Sequence, residues 1–134
     1  MHTPYEIRLG HQCDFRVKYR FFTKQEGGRL HLPYQGIRSD FWYDHGDNGD
    51  NELFMIWPEF ESPDGEVILE NDRPVPQTGT ARMWIIVPER RPYHYLHIKE
   101  GMIGHFREGL MKTAECQIIE IVGLHDNPTG KLRQ

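Results

Sequence analysis

Apolar and polar residues alternate over 14–22. Phe15, Val17, Tyr19 and Phe21 fall on one side, and Arg16, Lys18 and Arg20 on the other. A period of two predicts a half-buried antiparallel strand with a basic outer face. A second strand is predicted over 80–87, where β-branched and aromatic residues crowd Met83-Trp84-Ile85-Ile86-Val87 and Pro88 ends the run. Shorter strands are predicted over 37–43, over 53–57 closed by Pro58, over 66–69, and over 103–106 and 115–122. Glu108-Gly109 supplies the turn between the last pair. No stretch carries helical periodicity. Several short strands divided by turn residues predict an all-β fold, either a closed barrel or a sandwich. The expected core holds Phe15, Val17, Tyr19, Phe21, Met83, Ile85 and Ile119. The parity of 80–87 stays open, because Trp84 and Ile86 are apolar too.

At 134 residues the chain has room for a single domain with one core. Its net charge of −4 argues against broad attraction to nucleic acid or an anionic membrane. Cys13 and Cys116 are the only cysteines, too few for a disulfide framework, and read as reduced thiols. No apolar run reaches the ~18 residues that suggest a membrane span, and the first residues do not resemble a signal peptide. A cytoplasmic location is the expectation.

Chemistry is sparse. The stretch 44–51, rich in Asp, Asn and Gly, superficially suggests a calcium loop. With Asp44 as first ligand, however, Gly46 and Met55 fall where oxygen ligands are needed. No metal or other cofactor is expected. The phosphate-cradling GxxxxGK[ST] loop is missing, which excludes a self-sufficient GTPase. His94 and His97 lie in a region read as strand, where a spacing of three points them to opposite faces. No GxSxG, HExxH or CxxC occurs. The chain therefore reads as non-enzymatic, with an uncharacterised enzyme on a β-barrel as a further alternative. Arg90, Arg91, Tyr93 and Tyr95 form the clearest cation–aromatic cluster, suited to phosphate plus base stacking or to a protein interface.

Two blocks carry a resemblance. Residues 24–43 read KQEGGRLHLPYQGIRSDFWY, and Gly101–Cys116 align without a gap to a second block. Both resemble the C-terminal, third domain of translation elongation factor Tu, in which they read KEEGGRHTPFFxGYRPQFYF and GLRFAIREGGRTVGAG. The resemblance implies a closed six-stranded antiparallel, Greek-key-like barrel over 14–123, with an N-terminal extension (1–13) and a polar tail (124–134) read as frayed. In that family the domain helps to bind the T-stem of tRNA and also touches protein partners. The arginine of the family's GGRH motif matches Arg29, while the histidine after it is replaced by Leu30. The glycine-rich GGRTVGAG has become Gly109-Leu110-Met111-Lys112-Thr113-Ala114-Glu115-Cys116.

The resemblance implies a binding site centred on Arg29, with Arg38, Arg90 and Arg91 as neighbours. Guanidinium groups there would grip phosphate or carboxylate. The function expected first is a protein-interaction domain or mimic of that factor, with an unidentified protein partner. The alternative is a translation-linked module that binds tRNA or other RNA. GTP, DNA and membranes are not expected partners.

Overall fold

A computed structural model describes residues 1–44 and 52–130. The calcium-loop reading lies, apart from Asp44, outside the described residues. Six strands form one sheet: β1 (Phe15–Phe21), β2 (Asp40–Tyr43), β3 (Ile56–Glu61), β4 (Thr78–Ile85), β5 (Ile103–Glu108) and β6 (Met111–Ile121). Their order is β2-β5-β6-β1-β4-β3, and every neighbouring pair runs antiparallel. Two short helices lie outside the sheet, α1 (Tyr5–Leu9) and α2 (Arg91–His97), the latter entered through a 3-10 turn at Pro88–Arg90.

β1 keeps its predicted parity, with Phe15, Val17, Tyr19 and Phe21 buried in the concave core. Aromatic rings fill that core. Tyr19, Phe21, Phe60 and Phe106 meet with centroids 5.2–6.1 Å apart, the range of favourable tilted and edge-on contacts. β4 resolves its own ambiguity: Met83 and Ile85 point inward, while Trp84 is buried on the opposite face with Tyr5 and Cys13. Ile119 does not join the core. It is 37% exposed, and its neighbour Ile118 is buried instead. A register shift between Arg16 and Val17 sets Ile118, not Ile119, opposite Val17. Two adjacent isoleucines give the sequence no means of choosing between them.

The sheet curls into a half-barrel and does not close, contrary to the expectation of a complete barrel. The edges β2 and β3 approach through one bridge, where Phe41 and Phe54 exchange two backbone hydrogen bonds of 3.0 Å. Beyond it, the free edge of β3 is taken by a side chain. Gln35 Oε1 accepts from Phe60 N at 2.8 Å, and Gln35 Nε2 donates to Phe60 O at 2.9 Å and to Ile68 O at 2.8 Å. Ile68 N also donates to Phe60 O. An amide thus occupies the place a sixth ladder would need. β3 runs through Pro58, where the strand was expected to end, because an edge strand tolerates a missing N–H.

Helix α2 corrects a further expectation. Tyr93 and His97 share one helix face, their rings 4.5 Å apart, and His94 is buried. Pro88 reads as the end of a strand, yet it and Pro92 each sit in the first turn of a helix, where proline is favoured. Seven residues are too few to show a period.

The start of β1, the end of β4, α2 and the C-terminal segment converge on one buried ion pair. Asp14 accepts from Arg91 Nε at 2.7 Å and Nη2 at 3.2 Å, from Ile85 N at 2.8 Å and from Asn127 Nδ2 at 2.9 Å. Arg91 also donates to Ile85 O and Pro128 O. The segment after Gly123, expected to fray, is therefore docked as far as Pro128, and Leu124 is fully buried. Asp14→Ala leaves a buried guanidinium without its counter-charge and should cost about 3–5 kcal/mol in urea unfolding. A loss below about 1 kcal/mol would show that the pair does not hold these elements together.

Candidate binding site

The four arginines expected to form one site are dispersed. Arg29 follows a reversal in which Gly27 takes φ +92° and Gly28 lies against β1. A Cβ on Gly28 would stand 2.4 Å from Phe22 O. The reversal does not free Arg29, whose Nε donates to His31 O at 2.9 Å and whose Nη1 is held by Glu108. Arg91 is buried in its pair with Asp14 and cannot meet a partner. Arg90 is exposed over the rings of Tyr93 (4.9 Å) and Phe54 (5.8 Å), beside a cavity of about 450 Å³. Arg38 lies over Trp57 at 5.0 Å and lines a different cavity, of about 600 Å³.

That larger cavity has the more complete set of recognition groups. One wall comes from the first residues, including His2, Tyr5, Arg8 and Leu9; the other comes from Arg38, Trp57 and Ile86. Sequence reasoning missed Arg8, and no motif marks it. Its place is fixed by α1, which ends at Gly10 in the left-handed conformation that glycine adopts readily. Arg8 sits 5.7 Å over the Tyr5 ring. Two guanidiniums therefore each cover an aromatic face, a favourable cation–π arrangement.

The first wall is held by a single carboxylate. Glu59, outward-facing on β3 yet buried, contacts His2 Nε2 at 2.6 Å and accepts from Tyr5 N at 2.8 Å and Trp84 Nε1 at 3.0 Å. Both of its oxygens are engaged by these contacts. Among the described residues no aspartate or glutamate lines the cavity, and neither Arg8 nor Arg38 makes a hydrogen bond or ion pair with any of them. Burial raises the pKa of the Tyr5 hydroxyl and Glu59 adds to the rise, while Arg8 and Arg38 both oppose it. Both cations therefore act on the same phenol.

Elsewhere on the outer face, Arg16, Arg20 and Arg82 are neutralised. Glu61 accepts from Arg16, Arg82 and Thr80; Arg16 also meets Glu120, and Arg20 meets Glu26. The basic face of β1 is thus largely paired within the domain.

Among the described residues no group of three His, Cys, Asp or Glu is placed to hold a metal, and no helix is long and apolar enough to cross a membrane. Tyr43 Oη and His94 Nδ1 lie 2.9 Å apart in the core. Cys13 and Cys116 are free and buried, and burial pushes the Cys13 thiol up to about 12, far from the range in which a thiolate serves as nucleophile. No protein-family model matches the chain, and neither does any curated protein. Its class therefore rests on geometry: a curled, six-stranded antiparallel β domain that carries a cation–aromatic cavity on its outer face.

Burial pushes the Glu61 carboxyl up, but hydrogen bonds from Arg16, Arg82 and Thr80 outweigh it and hold its pKa below the usual value. A depressed folded-state pKa contributes stability above the unfolded value of about 4.3 and loses it as pH falls through the folded value. Glu61→Gln should flatten the acid limb of unfolding stability below about pH 4.5. If variant and wild type lose stability in parallel there, Glu61 is not a source of that limb.

Proposed function

We propose that this domain is a non-enzymatic binding module whose partner is a protein presenting an acidic segment to the Arg8–Arg38 cavity. The observation that carries this reading is the pair of guanidiniums without an acidic partner among the described residues, set over Tyr5 and Trp57 in one concavity. Charge complementarity then favours a carboxylate-bearing partner. Exposed Met1 and Leu9 line the same cavity, and arginine and aromatic groups beside apolar surface make up the composition of interface hot spots.

Kinship with the third domain of elongation factor Tu belongs to the same proposal. It draws support from the placement of the two sequence blocks: the first starts in the turn after β1, and the second spans β5, its turn and the start of β6. The buried, protonated thiols accord with a reducing, cytoplasmic setting. A tRNA- or RNA-binding role is the second reading, favoured by exposed Arg90 over Tyr93 and Phe54. The pairing of Arg16, Arg20 and Arg29 with acids, and the burial of Arg91, remove most of the cations that it would use.

One titration separates the two. A glutamate-rich peptide with one aromatic residue should bind the wild type, and Arg38→Ala should lose about 1.5–3 kcal/mol of that binding, the range for hydrogen bonds to charged groups. Unfolding stability should change by no more than about 0.5 kcal/mol. Binding of bulk tRNA that falls steeply between low and moderate salt, and ignores Arg38→Ala, would transfer the function to the second reading.

A further inference from the structure

Arg8 and Arg38 are exposed, and both line the cavity of about 600 Å³ on the outer face. Each guanidinium is positioned over a ring, Tyr5 for Arg8 and Trp57 for Arg38. A cation placed in this way is oriented without giving a hydrogen bond to any acceptor. Its N–H donors therefore remain open to a group that enters from outside, and part of the entropy of ordering the side chain is already lost. The cavity also lies in the size range of pockets that enclose a whole small ligand.

The two cations belong to different walls, yet both lower the pKa of the same Tyr5 hydroxyl, so their fields overlap at one point. The lining adds the Asn71 amide and the Trp57 indole, whose side chains make no hydrogen bond with a described residue, and the apolar surfaces of Leu9 and Ile86. This inventory asks for more than one carboxylate. A carboxylate carries a single charge and two coplanar oxygens, which leaves one of two arginines uncompensated. A phosphomonoester carries about −1.5 to −2 at neutral pH, and its three terminal oxygens diverge, so it can meet cations from two walls at once. The phosphoryl group fills only part of the space. Phosphoserine would bring one methylene and leave the apolar lining bare, whereas an aryl ring can lie against Trp57, Leu9 and Ile86.

We propose that the Arg8–Arg38 cavity receives a phosphotyrosine side chain of the partner protein. Arg8 and Arg38 take the phosphate oxygens, one guanidinium from each wall, and the ring of the ligand covers the apolar lining between them. The inference rests on the acidic-partner reading above and narrows it from any carboxylate-bearing segment to one modified residue. Recognition of phosphorylated residues by paired arginines is a recurrent use of this chemistry.

Calorimetric titration of the full chain with three glutamate-rich peptides of one sequence tests the proposal. Their central residue is phosphotyrosine, phosphoserine or unmodified tyrosine. The phosphotyrosine peptide should bind about tenfold or more tighter than either of the others. Arg8→Ala and Arg38→Ala should each weaken it about tenfold or more. Both side chains are exposed, so both variants should keep the unfolding midpoint of the wild type. If the unmodified tyrosine peptide binds as tightly as the phosphotyrosine peptide, the phosphate inference is overturned and the acidic-partner reading stands. Equal affinity for phosphoserine and phosphotyrosine would overturn the aryl part, and with it the proposal. Full affinity for the phosphotyrosine peptide in both alanine variants would place the anion elsewhere and overturn it too. Absence of binding by all three peptides would overturn this inference together with the reading it rests on.

Discussion

A carboxylate and a guanidinium, both withdrawn from water, meet where the ends of the chain close onto the sheet. Asp14 lies next to the first residue of β1 and Arg91 opens α2, and between them they also take up Ile85 N, Ile85 O and the side chain of Asn127. Desolvating two charges is tolerable only when every remaining donor and acceptor is satisfied. That demand fixes several distant segments at once. It anchors α2 across the end of β4, and so sets the position of Arg90 beside Phe54 and Tyr93. It also draws the segment after β6 back against Gln12, which orders the stretch leading from α1 into β1.

A second carboxylate does comparable work on the outer face. Glu59 could have left β3 as an ordinary polar position. Instead it accepts hydrogen bonds from the backbone of Tyr5 and the indole of Trp84, and it contacts the ring of His2. The first residues are thereby laid over Trp84, and Arg8 comes to face the cavity that Arg38 and Trp57 line from the other side. The cavity is a consequence of this docking. Its cationic character follows from subtraction: Glu59 is engaged by the strap and Glu61 by Arg16, Arg82 and Thr80, and no acid among the described residues lines the cavity beside Arg8 and Arg38.

The arginines also show why a resemblance in sequence blocks carries turns more safely than it carries sites. The Gly27-Gly28 reversal sits where the pattern puts it, because backbone crowding against Phe22 leaves no room for a side chain. Arg29 beside it has turned inward to His31 and Glu108. The arginine that the resemblance marks as part of a contact surface braces a loop in this chain.

The order of apolar and polar residues by itself determined that the chain is β-rich, that β1 buries its odd-numbered face, that β5 and β6 meet at the Glu108-Gly109 turn, and that no phosphate loop exists. These are local properties, set by a period of two or by the conformational demands of a turn. Only the tertiary structure decided which arginines reach water, whether Ile118 or Ile119 enters the core, and whether the sheet closes. Each of these depends on partners remote in sequence: Arg91 and Asp14 are 77 residues apart, and Gln35 seals β3 from 25 residues away. A guanidinium looks the same in a sequence whether its carboxylate lies across the core or nowhere nearby. The chemistry left to Arg8 and Arg38 is set by which acids the fold has already claimed.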